Sequence, residues 1–183
     1  MIDIETSRCV LRLVPLAGLA ATAARDIDAA GRIIGPNLSE EWFELDWVAD
    51  LRLNQWKQDP QYAPWSIRAI TLRSTGEIVG SINCHDRPKP FRYNGDEGQA
   101  IEIGYTIFSP WRRKGFASEA VRQLFEFAAG SGVKWVVLSI LPDNAPSQHL
   151  AKKLGAYKVD SQLNEENMPE DIYLVDIQPA LTP

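Results

Sequence analysis

Little in these 183 residues points to a scaffold held by covalent links. The chain has only two cysteines, Cys9 and Cys84, too few for a disulfide framework. No apolar run approaches the roughly 20 residues that a membrane-spanning helix needs, so no membrane partner is expected. Positive charge is scarce too. Lys and Arg number 19 against 24 Asp and Glu, a formal net charge of −5. Beyond one RRK turn there is no basic stripe, so nucleic acid is not expected as a partner. The acidic excess suits a cationic partner as well as it suits solubility. The first residues, MIDIETSRCVLRL, lack the basic stretch and unbroken apolar core of an export signal, so the expectation is a cytoplasmic protein with reduced thiols. No metal is expected.

What the chain does have is apolar mass. The apolar share is 45%, enough for one substantial core, and residues 1–183 are expected to form a single domain. Residues 8–14 alternate as a strand ended by Pro15. Residues 16–30 are rich in alanine and read as one helix, closed by Gly31 and by Gly35 with Pro36. In 39–56, Trp42, Leu45, Val48, Ala49 and Trp56 fall near helical spacing, which predicts one or two short helices. Residues 60–64 read as a linker, and 65–72 and 77–84 as strands joined by a turn ending at Gly76. Residues 86–98 read as a polar loop, longer than a hairpin connection needs.

The segment 101–130, IEIGYTIFSPWRRKGFASEAVRQLFEFAAG, is the most informative. Ile101, Ile103, Tyr105 and Ile107 line one face of a strand, with Glu102, Gly104 and Thr106 on the other. Ala117, Ala120, Val121, Leu124, Phe125 and Ala128 recur at the spacing of an amphipathic helix. Between them lies a basic turn with one glycine. Such a unit aims a helix N-terminus and free backbone N–H groups beyond the strand, forming an anion site suited to a diphosphate. Arg112, Arg113 and Lys114 surround it, and Gly115 lets the ligand approach the backbone. The Walker A and dinucleotide-binding glycine patterns are both missing here, since Lys114 precedes the turn's single glycine. Residues 133–141 follow as a strand apolar on both faces, as in a parallel pair. Asp143 or Asn144 caps the next helix, Gly155 ends it, and 172–177 closes the sheet.

The pattern R-x-x-G-x-A from Arg112 to Ala117 resembles the acetyl-coenzyme A signature of the GNAT superfamily of N-acetyltransferases. A second match comes later in order. Residues 143–156, DNAPSQHLAKKLGA, resemble that superfamily's Asn-containing helix with its Leu-Gly end. EIGY…SPWRRKGFASEA followed by DN-x-x-S is similar to the Rim-type branch, whose members acetylate ribosomal-protein N-termini and whose relatives act on small amines. The resemblance covers about residues 98–157. It implies an α/β (α+β) fold of the GNAT type: a mixed, mainly antiparallel sheet of six to seven strands flanked by helices. It also implies acetyl-coenzyme A as co-substrate and a primary amine as acceptor, either a small molecule or a protein N-terminus. A homodimer is left open.

The resemblance further assigns residues. Backbone N–H groups of Arg113, Lys114, Gly115, Phe116 and Ala117, with the Ser118 hydroxyl, would hold the diphosphate, and Arg112, Lys114 or Lys152 would meet the adenosine phosphate. The pantetheine arm would pair with the backbone of Tyr105, Thr106 and Ile107, where the strand splays from the one carrying Ser139. That opening would place free N–H groups beside the thioester carbonyl as an oxyanion hole. Asn144 is either a pantetheine contact or simply a helix cap. The tyrosine that serves many members as general acid is replaced by Ala151. Ser147 stands where the Rim-type branch has serine. A hydroxyl is a poor acid, so a hydrogen bond to the departing thiolate fits it better than full proton transfer, and a capping role fits equally. Glu102 is the first choice for general base, against an exposed strand residue paired with a cation. His85 is the next candidate. Cys84 reads as a buried structural thiol rather than a nucleophile. Trp42, Trp47, Trp56 and Trp65 would wall an acceptor pocket or, more simply, pack in the core.

The reaction expected is direct attack of the amine on the thioester through a tetrahedral intermediate. The residues 86–98 would act as a lid that selects the amine, or as a plain surface insertion. A rival reading is a coenzyme A-responsive binding or regulatory module with the phosphate turn but no transfer, for which the missing tyrosine speaks.

Overall fold

Short β-branched runs and alanine-rich or amphipathic segments divide the chain between sheet and helices. The computed structural model describes residues 3–36, 38–164 and 167–178. Strands β1 (Ile4–Glu5) and β2 (Cys9–Leu13) precede helices α1 (Leu16–Ala23) and α2 (Ile27–Ile34). A 3-10 turn (Glu40–Leu45) leads into α3 (Asp46–Gln58), and a second (Pro60–Trp65) occupies the expected linker. Then come β3 (Arg68–Leu72), β4 (Ile78–Cys84), β5 (Lys89–Tyr93), β6 (Asp96–Ile107), α4 (Phe116–Gly130), β7 (Val133–Ile140), α5 (Ala145–Lys153), β8 (Tyr157–Leu163) and β9 (Pro169–Asp176). These residues cluster into two compact units, 1–87 with 104–123 and 88–103 with 124–183, so the division falls inside β6 and inside α4.

In the first unit the strands run in the order β1-β2-β3-β4-β6. The pairs β1/β2, β2/β3 and β3/β4 are antiparallel. Every residue of β3 and β4 is buried, so both faces of this part of the sheet are covered. Leu11, Ile70 and Ile82 are fully buried, as is Leu19 of α1. Gly80 permits the close approach of β6: a Cβ there would lie 2.1 Å from the Thr106 carbonyl oxygen. The single helix expected over 16–30 is two. Arg25 takes a left-handed conformation at φ 53°, and Asp26 caps α2 by accepting from the Ala29 N–H. That cap, a strong local preference of aspartate, starts a new helix where alanine content predicts continuation. Gly31 lies inside α2 rather than ending it.

In the second unit β7 pairs parallel with β6 over Gln99–Glu102 and antiparallel with β9, which pairs with β8. Ala100, Trp135 and Leu174 form its core, with Phe91, Tyr93, Val137 and Val159 packed against them. The polar loop expected over 86–98 is instead largely a hairpin. Residues from Lys89 to Tyr93 pair with residues from Ala100 back to Asp96, and Asn94 and Gly95 turn the chain with φ of 50° and 83°. Two consecutive positive-φ residues reverse the chain with the twist that antiparallel strands prefer. The sheet is mixed and flanked by helices. Among the described residues it has nine strands where six or seven were expected; the short β1, the hairpin strand β5 and β8 were not anticipated.

Candidate active site

The basic turn is built as the sequence suggested, within the first unit. A 3-10 turn at Ser109–Trp111 leaves β6, and Glu41 fixes it by accepting from Ser109 N–H (2.9 Å) and from the Ser109 hydroxyl (3.0 Å). Arg113 and Gly115 adopt left-handed φ of 60° and 84°. Helix α4 then closes its first bond from Glu119 N–H to the Gly115 carbonyl at 3.1 Å. Among the described residues no backbone or side-chain acceptor meets the N–H groups of residues 113–118. A helix start alone leaves its first N–H groups open; the two left-handed residues extend that row backwards into the turn. Such a row binds an anion.

The cations around it divide by partner. Arg112 folds back, its Nε donating to the Ile107 carbonyl at 2.8 Å and its Nη2 lying 3.5 Å from Glu41. Lys114 Nζ sits 4.6 Å from the centre of the Trp111 ring. Arg113 is exposed and without a side-chain partner among the described residues. Phe116 is buried, and Ala117 and Ser118 are half-buried.

At the end of β4, Asn83 and, just beyond the strand, His85 point at β6: a Cβ on Gly104 would lie 3.1 Å from His85 Nε2 and 3.4 Å from Asn83 Nδ2. Arg52 of α3, buried, donates to Asn83 Oδ1 (3.1 Å) and to the His85 carbonyl (2.8 Å), and Asn83 donates to the Gly104 carbonyl (3.3 Å). This chain of hydrogen bonds fixes β6 just before Tyr105, Thr106 and Ile107, all half-buried. Cys84 is 1% exposed. Burial pushes its thiol up to about 12, against the lowering influence of Arg68 and Arg52, so it carries no thiolate for nucleophilic attack at neutral pH. Trp42, Trp56 and Trp65 are core residues, while Trp47 is 69% exposed.

In the second unit Glu102 is half-buried and accepts a 2.7 Å hydrogen bond from the Ser139 hydroxyl of β7. Ser139 interrupts an apolar strand, and its polarity was the signal that it has a partner. Asn144 caps α5, accepting from Ser147 N–H at 3.2 Å; its Nδ2 has no partner among the described residues. The Ser147 hydroxyl is likewise without a partner among them. Lys152 is exposed and Ala151 is buried, so no acidic side chain replaces the tyrosine at that position. Among the described residues no group of His, Cys, Asp and Glu could hold a metal ion, and no helix is long and apolar enough to cross a membrane.

Comparison with known proteins gives these features a setting. The chain spans about half the length of the curated relatives it matches. "Uncharacterized N-acetyltransferase YoaA" of Bacillus subtilis (strain 168) is 30% identical over 90 residues, 49% of this chain and 47% of that protein. Among solved structures, the ribosomal-protein-S5-alanine acetyltransferase from Vibrio fischeri superposes with a TM-score of 0.66 at 14% identity, over 100% of each chain. Microcin C7 self immunity acetyltransferase MccE, in complex with acetyl-CoA and AMP, superposes with a TM-score of 0.60 at 16% identity, over 93% of each chain. At such identities the likeness is one of fold. The family model described as "Acetyltransferase (GNAT) domain" matches residues 8–157, which takes in both the basic turn and the Asn144 cap. The chain belongs to the GNAT acetyltransferase family.

Proposed function

We propose that this protein transfers the acetyl group of acetyl-coenzyme A to a primary amine, a protein N-terminus or a small molecule. The observation that carries the reading is the open row of N–H groups at residues 113–118, which fits a diphosphate, with Arg113 exposed beside it. Family membership favours acetyl-coenzyme A, and the matched span, residues 8–157, runs through both units, which supports reading residues 1–183 as one domain. The pantetheine arm pairs with the backbone of Tyr105–Ile107 in this reading; the parallel pairing of β6 with β7 covers Gln99–Glu102, so these residues lie further along the strand. In the same reading Asn144 Nδ2 is a donor for pantetheine, and Arg112, Lys114 or Lys152 for the adenosine phosphate.

An alkylammonium, with a pKa near 10, must lose a proton before it attacks the thioester carbonyl. Glu102 takes that proton, directly or through water, with its carboxylate oriented by Ser139. Ser147, whose hydroxyl has no partner among the described residues, donates a hydrogen bond to the departing thiolate. Acetyl-coenzyme A at a hundredfold excess over its dissociation constant should stabilise the fold by about 2.7 kcal/mol. Nicotinamide dinucleotide serves as the control. Equal shifts of the melting curve by both would remove the coenzyme assignment.

A further inference from the structure

We propose that Arg8, held by Glu119, which Thr6 anchors in turn, is a positioning residue for the coenzyme turn and sets its affinity. This rests on the coenzyme reading given above. Arg8 stands beside β2, far from the turn in sequence, yet its guanidinium is tied to it at several points. Nε donates to Glu119 Oε2 at 2.7 Å, and Nη1 donates to the Lys114 carbonyl at 3.0 Å. Cζ lies 4.4 Å from the centre of the Phe116 ring. A Cβ on Gly115 would lie 3.4 Å from Nη2, so the guanidinium rests against the turn's glycine. Nη2 itself has no partner among the described residues.

Glu119 is anchored in turn by the segment before β2. Its Oε1 accepts from the Thr6 hydroxyl (2.5 Å), the Ser7 hydroxyl (3.0 Å) and the Arg8 backbone N–H (2.7 Å). Thr6, whose hydroxyl oxygen also accepts from the Cys9 N–H at 2.8 Å and whose own N–H donates to the Cys9 carbonyl at 2.9 Å, is buried at 6% exposure.

The turn needs such a brace. Arg113 has a Cβ and still holds φ of 60°, a conformation that persists only where the surroundings impose it. The carbonyl that Arg8 grips, that of Lys114, lies between the two left-handed residues. Gripping it fixes the peptide that joins Lys114 to Gly115, and so the direction of the N–H groups on either side. Rotation of that peptide would turn N–H groups away from the phosphates. A planar guanidinium can hold a carboxylate and a carbonyl at once; an ammonium cannot do so in the same geometry.

The test is calorimetric titration of acetyl-coenzyme A into wild type, Arg8→Ala, Arg8→Lys, Glu119→Gln and Thr6→Val, each with its melting temperature. Failure of wild type to bind would sink the coenzyme reading itself, before the brace is at issue. With wild type binding, Arg8→Ala and Arg8→Lys should each raise the dissociation constant about tenfold or more, and KM for acetyl-coenzyme A should rise more than kcat falls. Glu119→Gln should raise it several-fold and add little when combined with Arg8→Ala, because the two act through one contact. Should Arg8→Ala fail to fold, Arg8→Lys and Thr6→Val carry the same expectation. Lower melting temperatures with wild-type dissociation constants would show a purely structural ion pair and overturn the proposal.

Discussion

Glu119 illustrates how side chains remote in sequence shape the basic turn. Burial alone would raise its pKa, but hydrogen bonds from Thr6, from the Arg8 backbone and side chain, and from Ser7 outweigh it and hold the carboxyl at about 2, against an ordinary 4.5. The groups facing it are therefore a cation and neutral donors, with the Cys9 thiol, pushed up to about 11 chiefly by burial and further by Glu119 itself, as the other titratable neighbour. A depressed carboxylate stabilises the folded state fully above about pH 4.5 and loses that contribution as the pH falls towards 2. Glu119→Gln should thus flatten the acid limb of a chemical-denaturation profile across this window, and an unaltered limb would argue against an ionised Glu119. None of this was legible from the sequence, where Arg8 and Glu119 are 111 residues apart and each looks like an ordinary surface charge. The turn itself was legible, because its glycine, its cations and the following helix are contiguous. Glu102 was legible as a candidate from strand alternation, whereas its Ser139 partner lies on another strand.

Elements were easiest to read where one period runs unbroken. Helix α4 and strand β7 fall where their apolar patterns place them. Boundaries set by a single backbone conformation were missed. Arg25 and the Asp26 cap divide α1 from α2, and an alanine-rich stretch conceals that. Asn94-Gly95 is a hairpin signal that went unread, because the flanking residues are charged and carry prolines. The hairpin replaces the expected loop over residues 89–98, and Tyr93 meets Trp135 edge to face with ring centres 6.1 Å apart. Its turn should be sensitive. Gly95→Val forces a β-branched residue into φ of 83° and should cost about 1–2 kcal/mol in a denaturant titration. A change within a few tenths of a kcal/mol would mean that the turn relaxes freely.

For the molecule as a whole, the family follows from a match over residues 8–157, while that match does not name the acceptor. The acidic composition, with a net charge of −5, suits a cationic amine as well as it suits solubility, and does not choose among amines. The fold would equally support a protein that binds coenzyme A and transfers nothing, because the open N–H row at residues 113–118 is needed for binding alone. Turnover separates the two. The decisive measurement is thiol release from acetyl-coenzyme A, with mass detection of the N-acetylated product, across peptides with free N-termini, polyamines, amino acids and aminoglycosides. It should be run with wild type and with Glu102→Gln, a near-isostere that still accepts the Ser139 hydrogen bond. Acetyl transfer predicts stoichiometric thiol and N-acetyl product with at least one amine class, and a rate in Glu102→Gln lower by roughly 10²–10⁴. Tight coenzyme binding with no amine-dependent thiol release from the wild-type protein would contradict it.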